Sequence, residues 1–93
     1  MIGVLSLHLH LPGCSSLKEK RGRIKPLLAR LHKEFNVSVA EMDLHDKWQD
    51  AVISCAMVGN ENAHLQQSLQ AIADWTAQNW LDISVVDNYI ELI

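Results

Sequence analysis

Residues 1–11 alternate without interruption, and this period of two constrains everything that follows. Leu5, Leu7, Leu9 and Leu11 fall on one side of an extended chain, and Ile2, Val4, Ser6, His8 and His10 on the other. Pro12-Gly13 ends the run. The period then becomes helical, with Leu17, Ile24, Leu28, Leu31 and Phe35 forming one apolar stripe. Ser16-Leu17-Lys18-Glu19 reads as a capping box, with Ser16 at the N-cap and Glu19 reaching back to its amide. Pro26 interrupts the stretch, but the stripe keeps phase across it. A single bent helix is therefore expected rather than two short ones.

The rest of the chain repeats the pattern. Residues 36–42 (NVSVAEM) read as a second strand, 43–49 as a polar loop and 51–58 as a third strand. Gly59-Asn60 breaks the chain, residues 61–79 read as a second helix with Leu65, Leu69, Ile72 and Ala73 inward, and 82–93 as a last strand. The order β-α-β-β-α-β is the split βαβ, or ferredoxin-like, pattern of an α+β domain. Right-handed crossovers favour four antiparallel strands in the order 4-1-3-2, with both helices on one face. At 93 residues the chain forms one domain spanning 1–93, with a modest core.

This topology leaves one sheet face open. Its first-strand members are Ile2, Val4, His8 and His10, and its third-strand members are Val52, Ser54, Ala56 and Val58. A bare face this apolar is expected to be covered, most economically by a second copy of the chain. The topology also gathers the end of strand 1, the start of helix 1 and the strand 2–3 loop at one end. His8, His10, Ser15, Ser16, Lys18 and Arg21 are expected to converge there with Glu41, Asp43, His45, Asp46 and Trp48.

Charge is distributed unevenly. Residues 1–35 carry seven lysines and arginines against Glu19 and Glu34, a formal +5; residues 36–93 carry nine carboxylates against Lys47, a formal −8. Hydrophobic residues make up 48% of the chain, which excludes a disordered segment. No apolar run approaches the length of a membrane span. The apolar start lacks a basic n-region and alternates like a strand, so it is not read as a signal peptide, and a cytoplasmic location is expected. Cys14 and Cys55 have no C-x-x-C spacing and are expected to be free thiols.

At SLKEKR (16–21) and FNVSVAEMDLHDKW (35–48) the chain resembles the YlxP-like proteins, a small bacterial family classed as a domain of unknown function. The likeness extends over essentially the whole chain. It implies a ferredoxin-like fold, and it implies genes that neighbour those of translation and ribosome-maturation factors. It supplies no catalytic residues. The motif positions it marks are Ser16, Leu17, Lys18, Lys20, Arg21, Asn36, Ser38, Glu41, Asp46 and Trp48.

Four constellations carry candidate chemistry. The first is the start of helix 1, where backbone amides and the helix dipole favour an anion. Ser15 and Ser16 add hydroxyls there, and Lys18, Lys20, Arg21, Arg23 and Lys25 add charge. Lys18, Arg21 and Lys25 share one flank; Lys20 and Arg23 lie on the other. The competing reading is a solvated basic helix. The second is the acidic loop of Glu41, Asp43, Asp46 and Asp50 beside Trp48. It lacks EF-hand spacing and is read as ion pairing with Lys18, Lys20 or Arg21, with Asp46 capping the hairpin and Trp48 as a hydrophobic lid. The third is His8-x-His10, which zinc could occupy only with His45 or Cys14; no metal is expected. The fourth is Cys14 near a helix N-terminus, which has no evident base. Trp75 and Trp80 read as packing at the edge of the helix 2 stripe.

These features favour a non-enzymatic module without a cofactor. Its basic helix would contact RNA or a ribosomal assembly through phosphate, because the central strands offer no aromatic on which bases stack. Neither DNA nor a membrane is expected as a partner. The alternative is a homodimeric interaction module whose cations pair with carboxylates.

Overall fold

The computed structural model describes residues 1–93, whose strands and helices form a sheet layer and a helix layer. Strand β1 (Ile2–His10) is followed by α1 (Leu17–Glu34), β2 (Ser38–Asp43), β3 (Asp50–Val58), α2 (Asn62–Asn79) and β4 (Ser84–Leu92). The sheet order is β2-β3-β1-β4, the expected set of neighbours read from the opposite edge, and every pairing is antiparallel. No helix is long and apolar enough to cross a membrane.

The alternation in β1 produces the core directly. Leu5, Leu7 and Leu9 are fully buried beneath the helices, while Val4, Ser6, His8 and His10 are only half-buried on the other face. Ile53 and Cys55 of β3 join the leucines, together with Ile24, Leu27 and Leu31 of α1 and Leu69, Ile72 and Ala73 of α2. Both helices therefore cover one face. Helix α2 lies close enough to β1 that a Cβ on Gly3 would come within 2.7 Å of Leu69 Cδ1, so glycine here permits the helix to settle onto the strand.

Helix α1 runs unbroken through Pro26, with Ser16 at its N-cap. Glu19 N donates to Ser16 Oγ at 3.0 Å, one half of the capping box. The other half is absent, since the Glu19 carboxylate instead accepts from Ser15 Oγ at 3.3 Å. The buried line of the helix is Lys20, Ile24, Leu27 and Leu31 rather than one through Leu28, which is half-buried. The spacing i, i+4, i+7, i+11 selects Leu27, and the same spacing carries Lys20 inward.

Strand β2 begins at Ser38, two residues later than its alternation suggests, and an irregularity lies between Glu41 and Asp43. Glu41 pairs with buried Ile53, which places its side chain on the helix-covered face. Asp87 lies opposite His8 in the β1–β4 ladder, and a second irregularity follows, between His8 and Leu9, where Val86 is left without a partner.

Candidate functional site

Three segments meet at one end of the domain. Leu11 N donates to Gln49 O at 2.8 Å, and Gln49 Nε2 donates to Cys14 O at 3.4 Å. Lys20 Nζ donates to Leu44 O at 2.7 Å. The end of β1, the start of α1 and the β2–β3 loop are thus joined, as the topology requires.

Lys20 takes up the ion pairing expected with the acidic loop and is thereby removed from the anion-binding set. Its side chain is only 2% exposed, and its ammonium lies 3.0 Å from Glu41 Oε2 as well as on the Leu44 carbonyl. The direction of that ion pair leaves Glu41 Oε2 without a directed hydrogen bond, although the atom is buried. Lys20 therefore offers nothing to an external phosphate. The signal was present in the chain: Lys20 is in phase with Ile24, Leu27 and Leu31, and Glu41 has the parity of Val37 and Val39. Two opposite charges occupy inward positions of facing elements.

Arg23 is similarly committed. Its guanidinium donates to Pro12 O and Asp82 O, and it lies 3.7 Å from Glu19 and 3.6 Å from Asp82. Arg30 pairs with Glu34 at 2.8 Å and sits 5.7 Å over the Trp75 ring. By contrast Lys18, Arg21 and Lys25 are exposed and make no ion pair or side-chain hydrogen bond. They lie on one flank of α1 at i, i+3 and i+7. Ser15 and Ser16 spend their hydroxyls on Glu19 and its amide, and the Glu19 carboxylate occupies the first turn. The helix terminus is thus already neutralised from within, and the free positive charge lies along the flank.

The acidic loop is held in one shape. Leu44 adopts φ of +60°, the left-handed region. For a leucine this costs on the order of 1–3 kcal/mol unless its surroundings impose it. Here Lys20 and Lys47 N both hold its carbonyl, and Leu44 N donates to Asp43 Oδ1 at 2.8 Å. Asp43, not Asp46, therefore caps the turn. Trp48 is 53% exposed, which does not match the hydrophobic lid expected there. It lines an open depression of about 340 Å³ with Asp46, Lys47, Gln49 and Asp50.

On the open sheet face, His8 Nε2 lies 3.2 Å and His10 Nδ1 3.5 Å from the same oxygen, Asp50 Oδ1. His10 and Asp50 are direct cross-strand partners, which explains the convergence. Desolvation pushes the Asp50 carboxyl up, but hydrogen bonds and charge from His8 and His10 outweigh it and hold the pKa below its ordinary 3.8. The other residues considered for zinc are engaged elsewhere. His45 rests on Glu41 O at 3.2 Å, and Cys14 is buried with its thiol on Ser16 O. Cys55 is also buried, and burial pushes its thiol up to about 11. Neither cysteine is disulfide-bonded. Trp75 packs edge-on against Phe35 at 5.7 Å and beside Trp80 at 6.3 Å, at the margin of the core.

Comparison with known proteins agrees with this architecture in extent. The family described as "Protein of unknown function (DUF503)" matches residues 2–90. The chain is 33% identical over 72 residues to the "Uncharacterized protein YlxP" of Bacillus subtilis (strain 168), covering 77% of this chain and 78% of that one.

Proposed function

The chain belongs to the DUF503 family, and from the surfaces it presents we propose that it is a non-enzymatic, ferredoxin-like binding module whose α1 flank contacts the phosphate backbone of RNA, including RNA within a ribosomal assembly. The observation that carries this is the contrast among the cations of α1. Lys20, Arg23 and Arg30 are consumed by internal carbonyls and carboxylates, whereas Lys18, Arg21 and Lys25 stand together without partners. Three unpaired cations on one helical flank match a run of phosphates. The central strands carry no Phe, Tyr or Trp, so contact runs mainly through charge rather than through stacking on the sheet.

Affinity for single-stranded RNA should fall with salt with a slope of about −2 in log–log form, the value for three phosphate contacts. Reversing Lys18, Arg21 and Lys25 to glutamate should abolish retention and flatten the slope, while the same change at Lys33 alone leaves most of it. Retention that survives the triple reversal sinks this proposal.

A second function has its own support. The open face carries a groove of about 310 Å³ lined by Val4, Val39, Ala40, Met42 and Ala56 together with Ser38 and Ser54. Ile2, Val58 and Tyr89 are exposed around it. A second copy stacked on this face would cover Ile2, Val4, His8 and His10 and make the chain a homodimeric interaction module. Sedimentation of the parent and of Val58→Asp distinguishes the two states: a dimer that the substitution dissociates supports this function, and a monomer at high concentration removes it.

A further inference from the structure

Trp48 is the feature that neither proposal above uses. Trp75 and Trp80 are half-buried and pack against each other, whereas Trp48 is 53% exposed and has no aromatic, cationic or hydrogen-bonding partner. A large apolar ring left in water on a polar loop costs solvation free energy, and such residues mark contact sites. The loop that presents it is also held rigidly. Leu11 N and the Gln49 side chain tie Gln49 down, and the buried Lys20 ammonium holds Leu44 in its left-handed conformation. A partner meeting this loop orders nothing on arrival, so contact loses little to entropy.

The chemistry around the ring selects the partner. Trp48 shares its depression with Asp46 and Asp50, and Asp43 stands at the head of the loop. Lys47 is the single cation of the lining. A phosphate would meet these carboxylates at close range. A guanidinium or ammonium group gains from both features, since the indole face attracts cations within about 6 Å of its centre and the flanking carboxylates accept their hydrogen bonds. We propose that this depression binds an arginine or lysine side chain from a basic segment of a partner protein, with the cation over Trp48 and its N–H groups directed at Asp46 and at Asp50 Oδ2, the oxygen that His8 and His10 do not contact. The site is separate from the α1 flank and does not depend on RNA contact there. Together the two would give the domain one surface for an anionic partner and another for a cationic one.

The test follows the three indole N–H resonances of the full-length protein in ¹H–¹⁵N spectra at low ionic strength. Trp48→Phe identifies the Trp48 signal, and its exposure means that the variant folds. A hexa-arginine peptide should shift the Trp48 resonance saturably and leave those of Trp75 and Trp80 in place. Asp46→Asn should weaken the peptide about threefold, the size of one exposed ion pair, and Lys47→Gln should strengthen it by a similar factor. The triple reversal on α1 should leave this binding intact. A Trp48 signal that the peptide does not move, or an affinity indifferent to Asp46, overturns the proposal. So does a shift driven by single-stranded RNA, which would assign the ring to a base. A shift produced by raising the protein concentration alone would assign the site to a second copy, and also overturns it.

Discussion

Lys20 and Glu41 show how far a single buried pair governs this protein. Taking an ammonium and a carboxylate out of water costs several kcal/mol per ion, offset only when the two meet and find further partners. Lys20 finds Glu41 and the Leu44 carbonyl. Lys20→Met leaves Glu41 facing an apolar layer without its counter-charge, and should destabilise the fold by about 3 kcal/mol in urea denaturation. Lys20→Met combined with Glu41→Leu removes both charges and should recover most of that loss. A double variant no more stable than the single one would mean that the Leu44 carbonyl, and not the ion pair, is the essential partner.

Asp50 makes a smaller contribution that depends on pH. Its carboxyl is held below its ordinary 3.8 by His8 and His10, against desolvation. A carboxyl whose folded pKa is lowered stabilises the native state above its unfolded pKa, and that contribution disappears as pH falls through the folded value. Asp50→Asn should therefore be less stable than the parent at neutral pH, by at most about 1 kcal/mol because the group is well exposed. The two stability curves should converge as the medium is acidified below the ordinary aspartate range. A difference that persists or grows in strong acid would contradict this assignment.

Helix α1 combines two weak points with one useful surface. Pro26 has no N–H for the Gly22 carbonyl, and Gly22 adds its own conformational freedom in the unfolded chain. The helix survives because Ile24, Leu27 and Leu31 are buried on either side of the defect. A Cβ at Gly22 would meet nothing within 4 Å. Gly22→Ala should therefore stabilise the protein by up to about 1 kcal/mol, a rise of roughly 4–8 °C in Tm for a domain of this size. A fall in Tm would indicate that the helix needs the freedom of Gly22 to accommodate Pro26. The β2–β3 hairpin is the counterpart of α1. Glu41 keeps the register of Val39 and so faces the helices, the irregularity follows it before Asp43, and Leu44 then takes its positive φ where its carbonyl meets Lys20.

Taken together, the layers enclose both thiols. Cys14 and Cys55 are fully buried, and burial raises Cys55 to about 11. At mildly alkaline pH neither should react with iodoacetamide in the native protein, and both should react at the rate of unfolding when urea is added. Rapid modification of either thiol in the native state would show that this part of the core opens locally. The charge asymmetry also looks different in the folded molecule. Part of the basic half is folded onto part of the acidic half, so the surface carries fewer free cations than the count of seven suggests.

Element order, sheet neighbours and the buried leucines of β1 were legible in the chain because they rest on periodicity, which is local and repeats. The inward side of α2 was legible for the same reason, as was the meeting of β1, α1 and the β2–β3 loop, which follows from topology. Which cations remain free was legible only in part: pairing of the helix start with the acidic loop was expected, and the engagement of Arg23 was not. Lys20 and Arg23 sit among five closely spaced cations and have the composition of a wet basic face. Their fate depends on the Leu44 and Asp82 carbonyls, far away in sequence, and on the Glu41 carboxylate that β2 turns toward α1. Trp48 was misplaced for a related reason. An indole beside polar residues is equally consistent with covering a core end or standing in solvent, and only its exposure in the folded chain separates the two. Periodicity assigns a residue to a face; long-range contacts decide whether its polar atoms are already satisfied there.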